Sequence, residues 1–162
     1  MKISIDGLSE PIPSKLHKGR DAELLIDTEE VFRGIWVPII TPFRNQRVDL
    51  CALQRLVENI TSHGVHGLVV CGTTGEASAL SLKEQMNVLM AVQEVVGISY
   101  PLLMGINGID TASTVKRVLR MNSFDITGYL VSVPPYVRPS QQGILMHLSK
   151  IAQASRLPLI VQ

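Results

Sequence analysis

The chain has 162 residues, of which 46% are hydrophobic and 18% charged, with a formal net charge of +1. That length suits about one domain, and that balance suits a buried core rather than disorder. With no long Lys/Arg run and only 4% aromatic residues, neither nucleic acid nor an anionic membrane is expected as a partner. No apolar stretch approaches the ~18 residues a membrane span needs. Met1-Lys2-Ile3-Ser4-Ile5-Asp6 has no apolar core for a secretion signal and carries an acid early. Cys51 and Cys71 stand in no CxxC or Cys/His spacing, so no metal is expected. Both are expected to be reduced and partly buried, in keeping with a cytoplasmic location.

Residues 1–33 read as a polar, loosely packed leader, with Pro11, Pro13, Lys15, Lys18 and a run from Glu23 to Glu30. Residues 34–162 read as one domain of alternating strands and helices. Gly34 to Ile40 is the first predicted strand, with Pro38 limiting its pairing. Asp49 caps a helix from Leu50 to His63, and Gly64 stops it. Leu68 to Cys71 is the second strand. Ser81 and Glu84 form a capping box for a helix from Leu82 to Val96, its inner face drawn through Met86, Leu89, Met90 and Gln93 or Val92. Leu102 to Ile106 is the third strand. Asp110 or Thr111 starts a helix carrying Val115, Val118 and Leu119. Ile126 to Val133 is the fourth strand, interrupted at Gly128. Ser140 caps a helix through Ala154, and Leu157 to Val161 begins a fifth strand.

Continuous apolar strands alternating with amphipathic helices predict a parallel sheet in an α/β protein. No GxGxxG follows the first strand, which disfavours a dinucleotide-binding sheet. Residues able to carry chemistry follow the strands: Thr41-Pro42 after the first, Thr73-Thr74 after the second, Tyr136 and Arg138 after the fourth. That placement is the (β/α)₈ TIM-barrel arrangement. A complete barrel takes ~250 residues, so four βα units and a fifth strand amount to about its first half. In Gly72-Thr73-Thr74-Gly75-Glu76, the glycines free the backbone to approach a ligand, and the hydroxyls and N–H groups can donate to a small anion. A plain turn remains the alternative on this pattern alone.

Three segments in order carry a resemblance. They are Pro38 to Phe43, Gly64 to Glu76, and Pro134 to Gly143, the last reading Pro-Pro-Tyr-Val-Arg-Pro-Ser-Gln-Gln-Gly. Together they resemble the dihydrodipicolinate synthase and N-acetylneuraminate lyase family, over about residues 33–162. The resemblance implies a TIM barrel, usually a homotetramer built from dimers, in lysine and diaminopimelate biosynthesis. It implies a lyase that condenses pyruvate with aspartate semialdehyde through a lysine Schiff base, with no metal and no other cofactor. Thr74 is then expected to hold the pyruvate carboxylate and Thr73 to join it and a proton relay. Tyr136 is expected to reach across the dimer interface into the neighbour's relay, and Arg138 to bind substrate or shape the interface. A chain of hydroxyls can pass a proton without holding a charge. Another pyruvate or 2-oxo acid aldolase of the family, or a non-catalytic half-barrel fragment, are the alternatives.

Departures accompany the likeness. Gln162 falls where the family places its central relay tyrosine, and an amide cannot shuttle a proton as a phenol does. Lys83, Lys116 and Lys150 fall within predicted helices, not on a strand where a desolvated amine is needed, so the 162-residue chain is expected to be inactive alone. Leu82, Gln85 and Pro135 stand where lysine-inhibited members carry two histidines and a tyrosine. Glu76 is read as an anchor accepting backbone N–H bonds in the turn. His63 is read as complementing a helix dipole, His66 as lying at the stability face, and His147 as surface or core edge. Asn107 is read as part of a plain turn.

Overall fold

The computed structural model describes residues 31–162; the leader predicted over 1–33 lies outside the described residues up to position 30. The elements are β1 (Trp36–Pro38), β2 (Phe43–Arg44), β3 (Arg47–Val48), α1 (Leu50–Thr61), β4 (Gly67–Val70) and a short 3₁₀ turn (Ala77–Ala79). They continue with α2 (Leu82–Val96), β5 (Leu102–Ile106), α3 (Thr111–Met121), β6 (Gly128–Val131), α4 (Gln141–Ala154) and β7 (Leu159–Val161).

Five strands form one parallel sheet in the order β1-β4-β5-β6-β7. Each crossover helix therefore steps to the next strand in the same direction. Right-handed crossovers of that kind place their helices on one side of the sheet, as in a barrel wall, whereas a doubly wound sheet reverses its order. This is the predicted half of a barrel, four βα units and a fifth strand. Every residue of β4 and β5 is buried. That is why these strands read as unbroken apolar runs.

β1 is shorter than the predicted span because Pro38 has no N–H to give. It sits at the sheet edge beside β4, and the ladder resumes with Ile39 N–H donating to Val69 O at 3.0 Å. Phe32 packs against Trp36 with the rings tilted at 48° and 5.7 Å between centroids, and the indole N–H donates to Phe32 O at 3.2 Å. The antiparallel β2–β3 hairpin was not predicted. Its two-residue turn, Asn45 and Gln46, has φ of +50° and +63°. Such a turn suits Asn, but its usual glycine partner is absent.

The helix caps agree with prediction. Asp49 accepts from Ala52 N–H at 3.0 Å and pairs with Arg44 at 2.8 Å. These contacts, the backbone hydrogen bond foremost, hold its carboxyl below the usual range. Ser81 and Glu84 close the capping box of α2. Asp110 accepts from Ser113 N–H and Ser140 from Gly143 N–H.

Several predicted faces and ends shift. The inner stripe of α2 is Gln85, Val88, Leu89, Ala91 and Val92, whereas Met90 is exposed. Apolar residues surround this helix, so spacing alone did not choose the stripe. Gly128 does not interrupt β6 but begins it, because a Cβ there would lie 2.8 Å from Pro158 O. Cys51 is exposed and Cys71 buried, rather than both partly buried. His147 is 3% exposed. It belongs to the α3–α4 core, with Thr111 Oγ1 2.8 Å from its Nδ1 and no partner at Nε2 among the described residues. Tyr129, fully buried, donates to Asn122 Oδ1 at 2.9 Å, while Asn122 Nδ2 donates to Ala154 O at 2.9 Å. That chain of bonds ties β6 to the ends of α3 and α4.

Candidate anion site at the C-terminal strand edge

The parallel registers bring the strand ends to one edge. Val70 pairs with Met104, Ile106 with Val131, and Val131 with Val161. The segments leaving that edge carry Thr41, Thr73-Thr74, Asn107, Tyr136 and Arg138, and Gln162. Gln162 prolongs the sheet by one bond, its N–H donating to Val131 O at 2.9 Å.

The Thr73-Thr74 turn is built on tight backbone packing. Cys71 leaves β4 with φ +53° and Glu76 leaves the turn with φ +52°. Gly105 on β5 lies so close that a Cβ there would fall 2.1 Å from Cys71 O. Within the turn Gly75 N–H donates to Gly72 O and Glu76 N–H to Thr73 O, each at 3.1 Å. The buried Thr41 hydroxyl donates to Gly75 O at 2.7 Å. Gln85 donates from Nε2 to Ala77 O at 2.9 Å and Leu80 O at 3.1 Å.

With the turn held from beneath, Thr73 and Thr74 are exposed. Among the described residues their hydroxyls and N–H groups have no hydrogen-bond partner. Two hydroxyls and two free N–H groups in sequence offer donors to a carboxylate-sized anion. Glu76 does not anchor the turn through its carboxylate as predicted. It is exposed and makes no side-chain cap bond; its backbone carries the contacts, with its carbonyl accepting from Ala79 N–H at 2.8 Å. Cys71 beneath the turn is no nucleophile, because burial pushes its thiol up to about 12 against the opposing influence of Arg117.

Tyr136 stands apart from this turn's own contacts. Val137 N–H donates to Pro135 O at 2.9 Å, closing a three-residue turn with Tyr136 at φ +74°. A γ-turn of positive φ is strained for a non-glycine residue. It presents a phenol that is 95% exposed. Arg138, at φ +42°, is also exposed and has no ion pair among the described residues. Asn107 serves through its carbonyl, which accepts from Arg117 Nη1 at 3.0 Å. His66 accepts from Ile35 N–H at 2.9 Å at the opposite end of β4. His63 Nδ1 lies 2.7 Å from Asn59 O near the end of α1.

Lys83, Lys116 and Lys150 are all exposed on helices, and none lies on a strand. Among the described residues no three His, Cys, Asp or Glu side chains are grouped to hold a metal, and no helix is long and apolar enough to cross a membrane. Sequence reasoning did not find Gln85 as part of the site. The signal available was a polar residue in register with Val88, Leu89 and Val92, which becomes visible only once the inner stripe is known.

Residues 31–162 match the model of the dihydrodipicolinate synthetase family. The 4-hydroxy-tetrahydrodipicolinate synthase of Ehrlichia canis (strain Jake) is 38% identical over 129 residues, covering 79% of this chain and 44% of that protein. The enzyme of the same name from Rickettsia akari (strain Hartford) is 32% identical over 131 residues, covering 81% of this chain and 45% of its own. Among solved structures, dihydrodipicolinate synthase from Thermotoga maritima aligns with a TM-score of 0.77 and 33% identity, covering 81% of this chain and 44% of that one. A Sulfolobus 2-keto-3-deoxygluconate aldolase in complex with D-KDPG aligns with a TM-score of 0.71 and 28% identity, covering 80% and 44%. The chain spans a little under half the length of these relatives.

Proposed function

The chain belongs to the dihydrodipicolinate synthetase family, and on that premise we propose that it carries the pyruvate-binding half of a Schiff-base-forming lyase. The lyase would condense pyruvate with aspartate semialdehyde. The observation that carries this reading is the Thr73-Thr74 turn, exposed at the strand edge, with its hydroxyls and N–H groups unpaired among the described residues. Thr74 holds the pyruvate carboxylate with its hydroxyl and N–H. Thr73 adds a second hydroxyl and starts a proton relay. Tyr136 extends that relay in a partner subunit of a homotetramer, which agrees with a phenol lying free of its own chain. Arg138 beside it supplies a positive charge for a substrate carboxylate. The chemistry needs an amine that adds to the pyruvate ketone and expels water, leaving an iminium that gives up a proton from its methyl carbon to become the nucleophilic enamine.

The placement of the described lysines favours a second reading of the 162-residue polypeptide alone, as a non-catalytic half-barrel. The described lysines stand exposed on helices rather than on a strand, so pyruvate binds at the Thr pair without a covalent bond. A related aldolase using another aldehyde shares the pyruvate half, in line with the aldolase likeness. The test is an NMR titration of the polypeptide with pyruvate, followed by borohydride treatment and mass spectrometry. Shifts at the Thr73 and Thr74 amides with no trapped adduct are expected. Absence of those shifts overturns the pocket, and a stoichiometric adduct on Lys83, Lys116 or Lys150 overturns the non-covalent reading.

A further inference from the structure

The hydroxyls and N–H groups of Thr73 and Thr74 make no hydrogen bonds among the described residues, so their direction is inherited from the backbone that holds the turn. Thr41 pins the turn at Gly75. The segment just beyond it is held by one residue of α2. Gln85 is 1% exposed and spends both amide hydrogens on Ala77 O and Leu80 O, the carbonyls that bracket the 3₁₀ turn. Its main-chain carbonyl also lies 3.9 Å from Cys71 Sγ, where the turn begins. Gln85 thus fixes the segment that leaves the turn through its side chain and meets the residue that enters it through its main chain.

Packing does not account for a glutamine here. The neighbours on its stripe are Val88, Leu89 and Val92, and Leu or Met would fill the same space. The amide instead leaves Oε1 buried without a partner. An orphaned buried acceptor is a net loss of stability that an apolar residue avoids. The Nε2 bonds explain its presence, since among the described residues no other donor reaches Leu80 O.

We propose that Gln85 is the positioning residue of the Thr73-Thr74 turn, its carboxamide setting the angle at which the two hydroxyls and N–H groups meet a carboxylate. The proposal rests on the pyruvate reading for its ligand. Misplacing oriented donors by about 1 Å can reduce their effect by orders of magnitude; here an affinity loss of about tenfold is expected. The side chain acts through backbone carbonyls and touches no ligand.

The experiment compares Gln85→Met, which keeps length and volume without a donor, with Val88→Ala, a core truncation on the same helix. Pyruvate affinity is measured by NMR at a temperature where each variant is folded, beside thermal midpoints and amide hydrogen exchange at Gly75, Glu76 and Ala77. Gln85→Met is expected to bind about tenfold more weakly and to exchange those amides about tenfold faster. Val88→Ala is expected to lose thermal stability yet keep both values within about twofold. Gln85→His, which retains one N–H donor, should fall between and serves if Gln85→Met does not fold. Equal affinity and equal exchange in the Gln85 and Val88 variants overturn the proposal. If the unaltered chain binds no pyruvate, the pyruvate reading fails, and the exchange rates still decide the role of Gln85.

Discussion

Replacing Gly105 with alanine presses on the site from the sheet side. An added Cβ would stand 2.1 Å from Cys71 O, 2.5 Å from Cys71 C and 2.7 Å from Gly72 Cα, whereas ordinary contact begins near 3.4 Å. All three atoms are backbone, so no rotamer can relieve the clash, and the turn has to retreat by roughly 1 Å. Overpacking of this kind costs about 1–3 kcal/mol, and a backbone obstacle belongs at the upper end. Alanine recovers about 0.4–1 kcal/mol by restricting the unfolded chain. The net loss is about 2 kcal/mol, a fall in thermal midpoint of roughly 4–8 °C for a chain of this size. Gly72→Ala is the control, since its Cβ meets only Val69 Cγ1 at 3.6 Å. Urea unfolding followed by the fluorescence of the single tryptophan measures both. Equal midpoints for the two variants would refute the close-approach argument.

Tyr136→Gly should raise stability by about 1 kcal/mol, because it relieves a positive φ and removes a ring that is 95% exposed; a lowered urea midpoint would contradict the strain. Burial holds the His147 imidazole below its ordinary pKa, against the raising influence of Asp110. The folded state therefore favours the neutral ring. Its stability contribution is complete above the ordinary value of 6.5 and is lost as the pH falls through the lower folded value. Urea midpoints should drop as the pH falls below about 6.5, and His147→Gln should flatten that slope; an unchanged slope assigns it elsewhere. Among the described residues, β1 and β7 each have one unpaired edge, and Ile35, Ile40 and Val161 are exposed beside them. The polypeptide should self-associate in sedimentation, and a compact monomer would count against the open-edge argument.

Much of the fold is local in origin and was legible. Asp49, Ser81, Asp110 and Ser140 each cap their helix through a side chain a few bonds from the amide it serves. The buried β4 and β5 are apolar on both faces, so their sequences need no tertiary knowledge to be read as strands of a parallel sheet. Family membership was equally legible, because three short segments recur in a fixed order. The β2–β3 hairpin was not, since Asn45-Gln46 lacks the glycine that usually marks such a turn.

The sequence by itself determined the alternating elements, their caps and the position of the Thr73-Thr74 turn after a buried strand. Tertiary structure alone decided what holds that turn. Gln85 lies on the inner stripe of α2 rather than Met90. Gly105 is small because Cys71 O passes above it, Glu76 faces solvent instead of the turn, and His147 sits in the core between α3 and α4. Each of these depends on which atoms from distant parts of the chain meet, and residue spacing carries only the period of an element, not the neighbour it faces.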